Sequence, residues 1–164
     1  MALKEMLLPE FDQEAASTRL LLERVPAQDA GWKPHPKSAS LGALAVHVAH
    51  LASWLGATLT STELDLAVAP RPAPFTTVEA LLATFDSHVA GSRAALAKAA
   101  DADFGVPWSL KSGEQVYFTL PRAVVVRSLV LSHLIHHRAQ LGVYLRLLDV
   151  PLPPSYGPTA DIGM

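Results

Sequence analysis

Thirteen prolines fix where long helices can run in this chain. A proline inside a helix removes one backbone bond and clashes with the preceding turn, so helices must fit between prolines or begin on them. Pro26, the cluster Pro70, Pro72 and Pro74, and Pro151 act as stops, while Pro9 and Pro121 suit a first turn. Between these marks lie four helix-length intervals.

Each interval carries helical periodicity. From Pro9 to Val25, the residues Leu8, Phe11, Ala15, Leu22 and Val25 recur at three- and four-residue steps. A second helix starts near Ser40, a favourable N-cap, and runs to about Thr60. A third starts at Thr76, where Thr76-Thr77-Val78-Glu79 reads as a capping box, and passes through Leu82, Phe85, Val89 and Leu96 to about Ala100. The fourth runs from Pro121 to about Leu148.

The connections differ in kind. Gln28 to Ala39 contains Trp32-Lys33-Pro34-His35-Pro36 and is irregular. Glu63 to Phe75 is an extended crossover. In Phe104 to Leu120, Val106, Trp108 and Leu110 alternate, Lys111-Ser112-Gly113-Glu114 can turn, and Val116 and Phe118 alternate again. That pattern predicts a short β-hairpin before the last helix. The proline-rich tail after Asp149 is extended and lies over the bundle. The expected fold is all-α: one four-helix-bundle domain spanning residues 1–164, with long crossover connections.

Composition narrows function by exclusion. The net charge is −2 at pH 7, and no basic stripe is present, so nucleic acid is not the expected partner. There is no cysteine, which removes disulfides, thiolate metal ligands and a cysteine nucleophile. The start, Met1-Ala2-Leu3-Lys4-Glu5, shows no signal peptide, and the expected compartment is the cytoplasm. Ser38 to Thr62 contains no charged side chain and is long enough to span a bilayer. Its two histidines, its hydroxyls and its many alanines make it a buried bundle helix instead, with no membrane partner expected. Half the residues are apolar and 17% are charged, consistent with burial against a second subunit.

Bundles place metal sites on inward-facing side chains. Seven histidines are present, and five of them fall on the second and fourth helices. His137 lies one turn beyond His133 and about 40° round the axis, and Gln140 and Tyr144 lie within about 20° of His133. Val126 and Leu129 continue that stripe upstream. An i,i+4 histidine pair can aim two imidazoles at one ion. On the second helix, His47 shares a face with Leu44, Leu51 and Trp54, so it points inward. Spacing alone does not choose between His136 and His137, or between His47 and His50. His88 is expected in or near the core without a ligand role, and His35 at the surface. Gln140 is placed to orient a ligand histidine or a bound water. Tyr144 could donate to a substrate or cap the core, and Arg138 and Arg146 are expected on a solvated face. Three neutral imidazoles suit Zn, Ni, Fe or Cu and leave positions open.

Two stretches carry a family resemblance: Ser40-Leu41-Gly42-Ala43-Leu44-Ala45-Val46-His47, and His133-Leu134-Ile135-His136-His137-Arg138-Ala139-Gln140-Leu141. With the ending Tyr144-Leu145-Arg146, Val150-Pro151 and Tyr156-Gly157-Pro158, they resemble the DinB/YfiT-like family of metal-dependent proteins over nearly the whole chain. The resemblance implies one ligand histidine in the second helix and an HxxxH pair in the fourth, which selects His47, His133 and His137. It also implies a homodimer and one divalent transition metal, nickel or zinc first, with iron or manganese as alternatives. The family commonly has glycine where Ala139 stands here.

Relatives that transfer low-molecular-weight thiols suggest an enzyme in which a thiol cosubstrate, or water, is activated at the metal and attacks an electrophile. Gln140 and Tyr144 are then the candidate catalytic groups, and the Trp32–Pro36 loop and the tail would wall the site. The alternatives are a non-enzymatic metal-binding module of a stress response, and a metal-free dimeric bundle.

Overall fold

The computed structural model describes residues 2–163. Four helices form the bundle: α1 (Leu3–Leu22), α2 (Leu41–Thr60), α3 (Val78–Lys98) and α4, spanning 122–147. Three strands form one small sheet: β1 (Glu63–Asp65), β2 (Pro107–Ser112) and β3 (Gln115–Pro121). The expected bundle and hairpin are both present.

α2 is the central helix. Ser40 caps it by accepting from the Ala43 N–H at 3.3 Å. Leu41, Leu44, Ala45, Val48, Leu51, Ala52 and Leu55 are buried along it. Each such leucine contributes about 1.5–3 kcal/mol of transfer free energy, which explains a helix without charge. It is the one helix among the described residues long and apolar enough to cross a membrane, but in this fold it packs against α1, α3 and α4. Gly56 lets α3 approach closely: Ser92 Oγ accepts from the Gly56 N–H at 3.0 Å and donates to the Ala52 carbonyl at 2.6 Å. At the other end of α2, a Cβ on Gly42 would stand 3.0 Å from Phe75 Cβ. That glycine admits the proline-rich crossover against the helix.

Several boundaries differ from the sequence reading. α1 begins at Leu3 and not at Pro9, which lies inside it. The early start is secured from a distance, because Asp101 Oδ1 accepts from the Leu3 N–H at 2.9 Å. The cap of α3 is Thr77 and not Thr76: Thr77 Oγ1 accepts from the Ala80 N–H at 3.2 Å. β2 and β3 pair antiparallel, with Gly113 at φ 58° in the turn and an irregularity at Leu110/Lys111. The crossover after α2 was expected to be extended but not to join a sheet, and it opens with β1, paired parallel to β2. A three-residue strand with two acids shows no apolar alternation. Lys111 pairs with Glu63 at 3.0 Å, and Asp65 Oδ1 accepts from the Gly113 and Ala67 N–H groups, both at 2.9 Å.

α4 is not a uniform α-helix. Arg122–Val125 leads into a π-helical stretch, Val126–Leu131, and then Ser132–Leu147 is α-helical. Ser132 Oγ donates to the Arg127 carbonyl, five residues back, at 2.9 Å. The extra residue per turn shifts the phase of the helix. Val130 and Leu131 are therefore buried where the uniform wheel placed Leu129, which is half-buried. The widened turn ends just before His133.

Candidate metal centre

The crossing of α2 and α4 brings His47, His133 and His137 together. His137 Nε2 lies 2.8 Å from His133 Nε2, and His133 Nε2 lies 3.4 Å from His47 Nε2. The three rings are mutually tilted, with centroids 4.5 to 5.2 Å apart. Nitrogens on a zinc ion at about 2.0–2.1 Å stand about 3.3 Å from each other in a tetrahedral set. The observed spacings bracket that value. No carboxylate or fourth histidine completes the set among the described residues.

Their surroundings keep two of these imidazoles neutral, the form that ligates. Burial, with His137 and His133 beside it, lowers the pKa of His47 to about 4. Burial and His137 lower that of His133. The Leu129 carbonyl favours a proton on His133, but Nδ1 makes no bond of regular geometry and is buried without a partner. Trp54 covers the ring edge-on, centroids 5.6 Å apart. His137 is oriented more firmly. Its Nδ1 is 2.7 Å from Gln140 Oε1, and since an amide oxygen only accepts, that nitrogen carries the proton. Nε2 is then the free lone pair, turned to the other two rings. Three imidazole nitrogens converging on one point could hold a borderline dication.

The remaining residues singled out from sequence fall around this centre. Tyr144 lies away from the three nitrogens: its hydroxyl donates to the Ala39 carbonyl at 3.3 Å, and its ring meets Trp32 edge-on at 5.7 Å. His136 is exposed beside His137. His35 is exposed, its Nδ1 accepting from the Lys37 N–H at 3.2 Å. His50 turns toward His88 on α3, ring centroids 5.4 Å apart. A cavity of about 660 Å³ opens beside the centre. His47, Ala43, Val46, Gly31, Pro72 and Phe75 line it, so the loop before α2 and the proline crossover form its walls.

Two expectations need correction. The C-terminal tail does not wall this cavity; it lies in the groove between α1 and α4, where Pro153, Pro154 and Tyr156 face Ser17 and Leu21. Arg138 is not solvated. It is 5% exposed and pairs at 2.7 Å with Glu14, also 5% exposed. Arg138 also donates to the Glu14 carbonyl at 3.2 Å and to the Tyr156 hydroxyl at 2.7 Å, while Tyr156 donates to the Glu14 carboxylate at 2.9 Å. The signal was in the pattern: Arg138 interrupts the buried row Leu134, Leu141 and Leu145, and Glu14 interrupts Phe11, Thr18 and Leu21. Opposite charges in two apolar stripes imply a buried pair. Arg146 is exposed and pairs with Asp161, in keeping with a solvated position.

A helical bundle whose core brings three histidines to one point defines a class of fold with a site that could hold a metal ion. The chain belongs to the DinB superfamily, whose sequence profile matches residues 10–141. Its fold is similar to that of a DinB-like protein from Bacillus subtilis, with TM-score 0.71 and 16% identity, covering 92% of this chain and 96% of that one. It is also similar to a DinB-like protein from Bacillus cereus, with TM-score 0.70 and 21% identity, covering 93% and 97%. At these identities the likeness is one of fold. No curated protein sequence matches the chain.

Proposed function

We propose that this protein is a metal-dependent enzyme that transfers a low-molecular-weight thiol to an electrophilic substrate. The observation that carries the metal half is the convergence of His47, His133 and His137 through their Nε2 atoms. The chain's three imidazoles would hold one dication, nickel or zinc by donor type. When bound, such an ion lowers the pKa of a thiol or water beside it by several units.

Two features favour catalysis over a closed structural site. No fourth protein ligand joins the set among the described residues, and the cavity along His47 is large enough for a small organic substrate. The chain has no cysteine, so a sulfur nucleophile must arrive as a cosubstrate. The overall change forms a sulfur–carbon bond and breaks either a carbon–halogen bond, releasing halide and the thiol proton, or an epoxide carbon–oxygen bond, whose oxygen takes up that proton as a hydroxyl. Gln140 holds His137 in its ligating tautomer. Tyr144, through Trp32 and Ala39, holds the loop that leads to the cavity wall.

The test is elemental analysis of protein purified without a histidine tag, beside a His133→Ala/His137→Ala variant. About one equivalent of a transition metal in the parent and none in the variant is expected. Thiol consumption with a model alkyl halide or epoxide should require that metal. Metal without turnover across thiols would leave a non-enzymatic metal-binding module, and no metal after incubation with Ni²⁺ or Zn²⁺ would end the proposal.

A further inference from the structure

α2 carries a second histidine that the metal centre does not use. His50 faces α3, where it meets His88, and both rings line a separate cavity of about 320 Å³. The proline crossover roofs this cavity, and Val46, Ala49, Phe75 and Leu81 give it apolar walls. Its charged and ionisable groups are His50, His88 and Arg71, and no carboxylate lines it. Arg71 is exposed and enters no salt bridge among the described residues. Arg71 and Val46 also line the cavity along His47, so the two spaces adjoin.

We propose that this cavity binds an apolar organic carboxylate, with its hydrocarbon body under the crossover and its carboxylate between Arg71 and the His50–His88 pair. An apolar enclosure with a few convergent polar groups is the usual form of a small-molecule site. The balance of charge selects the ligand. Arg71 repels a cation, and nothing acidic is present to offset it, so a second metal ion is disfavoured while an anion is attracted. Arginine matches a carboxylate through paired N–H donors. His88 is already oriented: its Nδ1 lies 3.2 Å from the Ala49 carbonyl, which can only accept, so Nε2 is the ring's free nitrogen. The His50 ring offers an N–H to the carboxylate, with the His88 ring packed edge-on against it at 5.4 Å between centroids. The Thr84 hydroxyl donates to the Ala80 carbonyl and Thr77 accepts from the Ala80 N–H; Thr76 also lines the space, and the positive charge there comes from Arg71. This site does not rest on the thiol-transfer reading or on a metal at His47.

Calorimetric titration of the metal-free full chain with 4-phenylbutanoate, beside 4-phenylbutan-1-ol as its neutral match, tests the proposal. The acid is expected to bind at least about tenfold more tightly than the alcohol, consistent with one charge-assisted contact. Arg71→Gln and His88→Gln should each lower affinity for the acid about tenfold, and His133→Ala should leave it unchanged. Arg71 makes no salt bridge among the described residues, so Arg71→Gln should fold, and the side chain in His88→Gln can still donate to the Ala49 carbonyl. Equal binding of acid and alcohol would overturn the assignment. So would loss of binding in His133→Ala, no effect of Arg71→Gln, no binding at all, or uptake of Zn²⁺ by His133→Ala that disappears with His88→Gln.

Discussion

His137 and Arg138 are neighbours on α4, and the two faces they occupy treat polar groups in opposite ways. On the Arg138 face the polar groups are matched to one another: guanidinium, carboxylate, phenol and the Thr18 hydroxyl form one hydrogen-bonded network, with Arg138 and Glu14 buried at its centre. On the His137 face three ring nitrogens are pressed together with little to bond, and His133 Nδ1 is buried without a regular partner. A closed network has no valence left for a ligand, and its role is to hold α1, α4 and the tail in register. An open cluster is costly unless something fills it. Burial of polar side chains is common to both, and satisfaction is what separates structure from site.

The largest expected effect falls on the closed face. Arg138→Met leaves the Glu14 carboxylate buried without its cation, held only by the Tyr156 hydroxyl, which should cost about 3–5 kcal/mol in urea unfolding of the metal-free protein. Pairing it with Glu14→Leu should recover most of that loss, since a buried ion pair replaced by apolar groups is often neutral. His133→Ala should abolish metal binding and change metal-free stability by less than about 1 kcal/mol. If His133→Ala destabilised the metal-free protein as much as Arg138→Met, the two faces would not differ in kind.

A smaller effect is expected one turn on, at Gln140. Gln140→Ala frees the His137 ring to rotate and change tautomer, so affinity for Ni²⁺ or Zn²⁺ should fall about 10–100-fold. The exposed side chain should contribute less than about 0.5 kcal/mol to folding. Competition with a chelator reads the first effect and urea unfolding the second. Unchanged affinity would reduce Gln140 to a surface contact.

The difference between the faces also marks what sequence could reach. Helix periodicity and proline placement gave the bundle, because both act locally on the backbone. The pairing of His47 with His133 and His137 was legible because three histidines lie on inward stripes. Spacing alone did not choose them over His50 and His136, and the resemblance did; in the structure His50 turns to α3 and His136 to solvent. The early start of α1 escaped because Asp101 supplies its cap from across the chain. β1 escaped because its stabilising contacts come from β2, more than forty residues away. The π-helical stretch escaped because a uniform wheel has no place for an extra residue.

The smallest effect distinguishes the faces by pH. An unfolded histidine takes up a proton near 6.5, whereas His47 in the metal-free fold does so only at about 4. Between those values the unfolded chain binds more protons, so stability should fall as pH drops from about 6.5 toward 4. His133 is shifted in the same direction. After allowance for solvent around a half-buried ring, His47 should account for about 1–2 kcal/mol of that fall. The carboxylates of Asp65, Glu79 and Asp161, also held low, lose their contribution at lower pH, below their ordinary range near 4, so the windows separate. His47→Gln cannot take up the proton and should flatten the slope between pH 6.5 and 4.5. Tyr156→Phe removes one hydrogen-bonding hydroxyl from the closed network and should lower stability by about 1 kcal/mol. It should do so equally at pH 7 and pH 5, because its neighbours stay paired. Urea unfolding of the two variants at both pH values is decisive: equal slopes would mean the histidine cluster is no more strained toward neutrality than the network behind it.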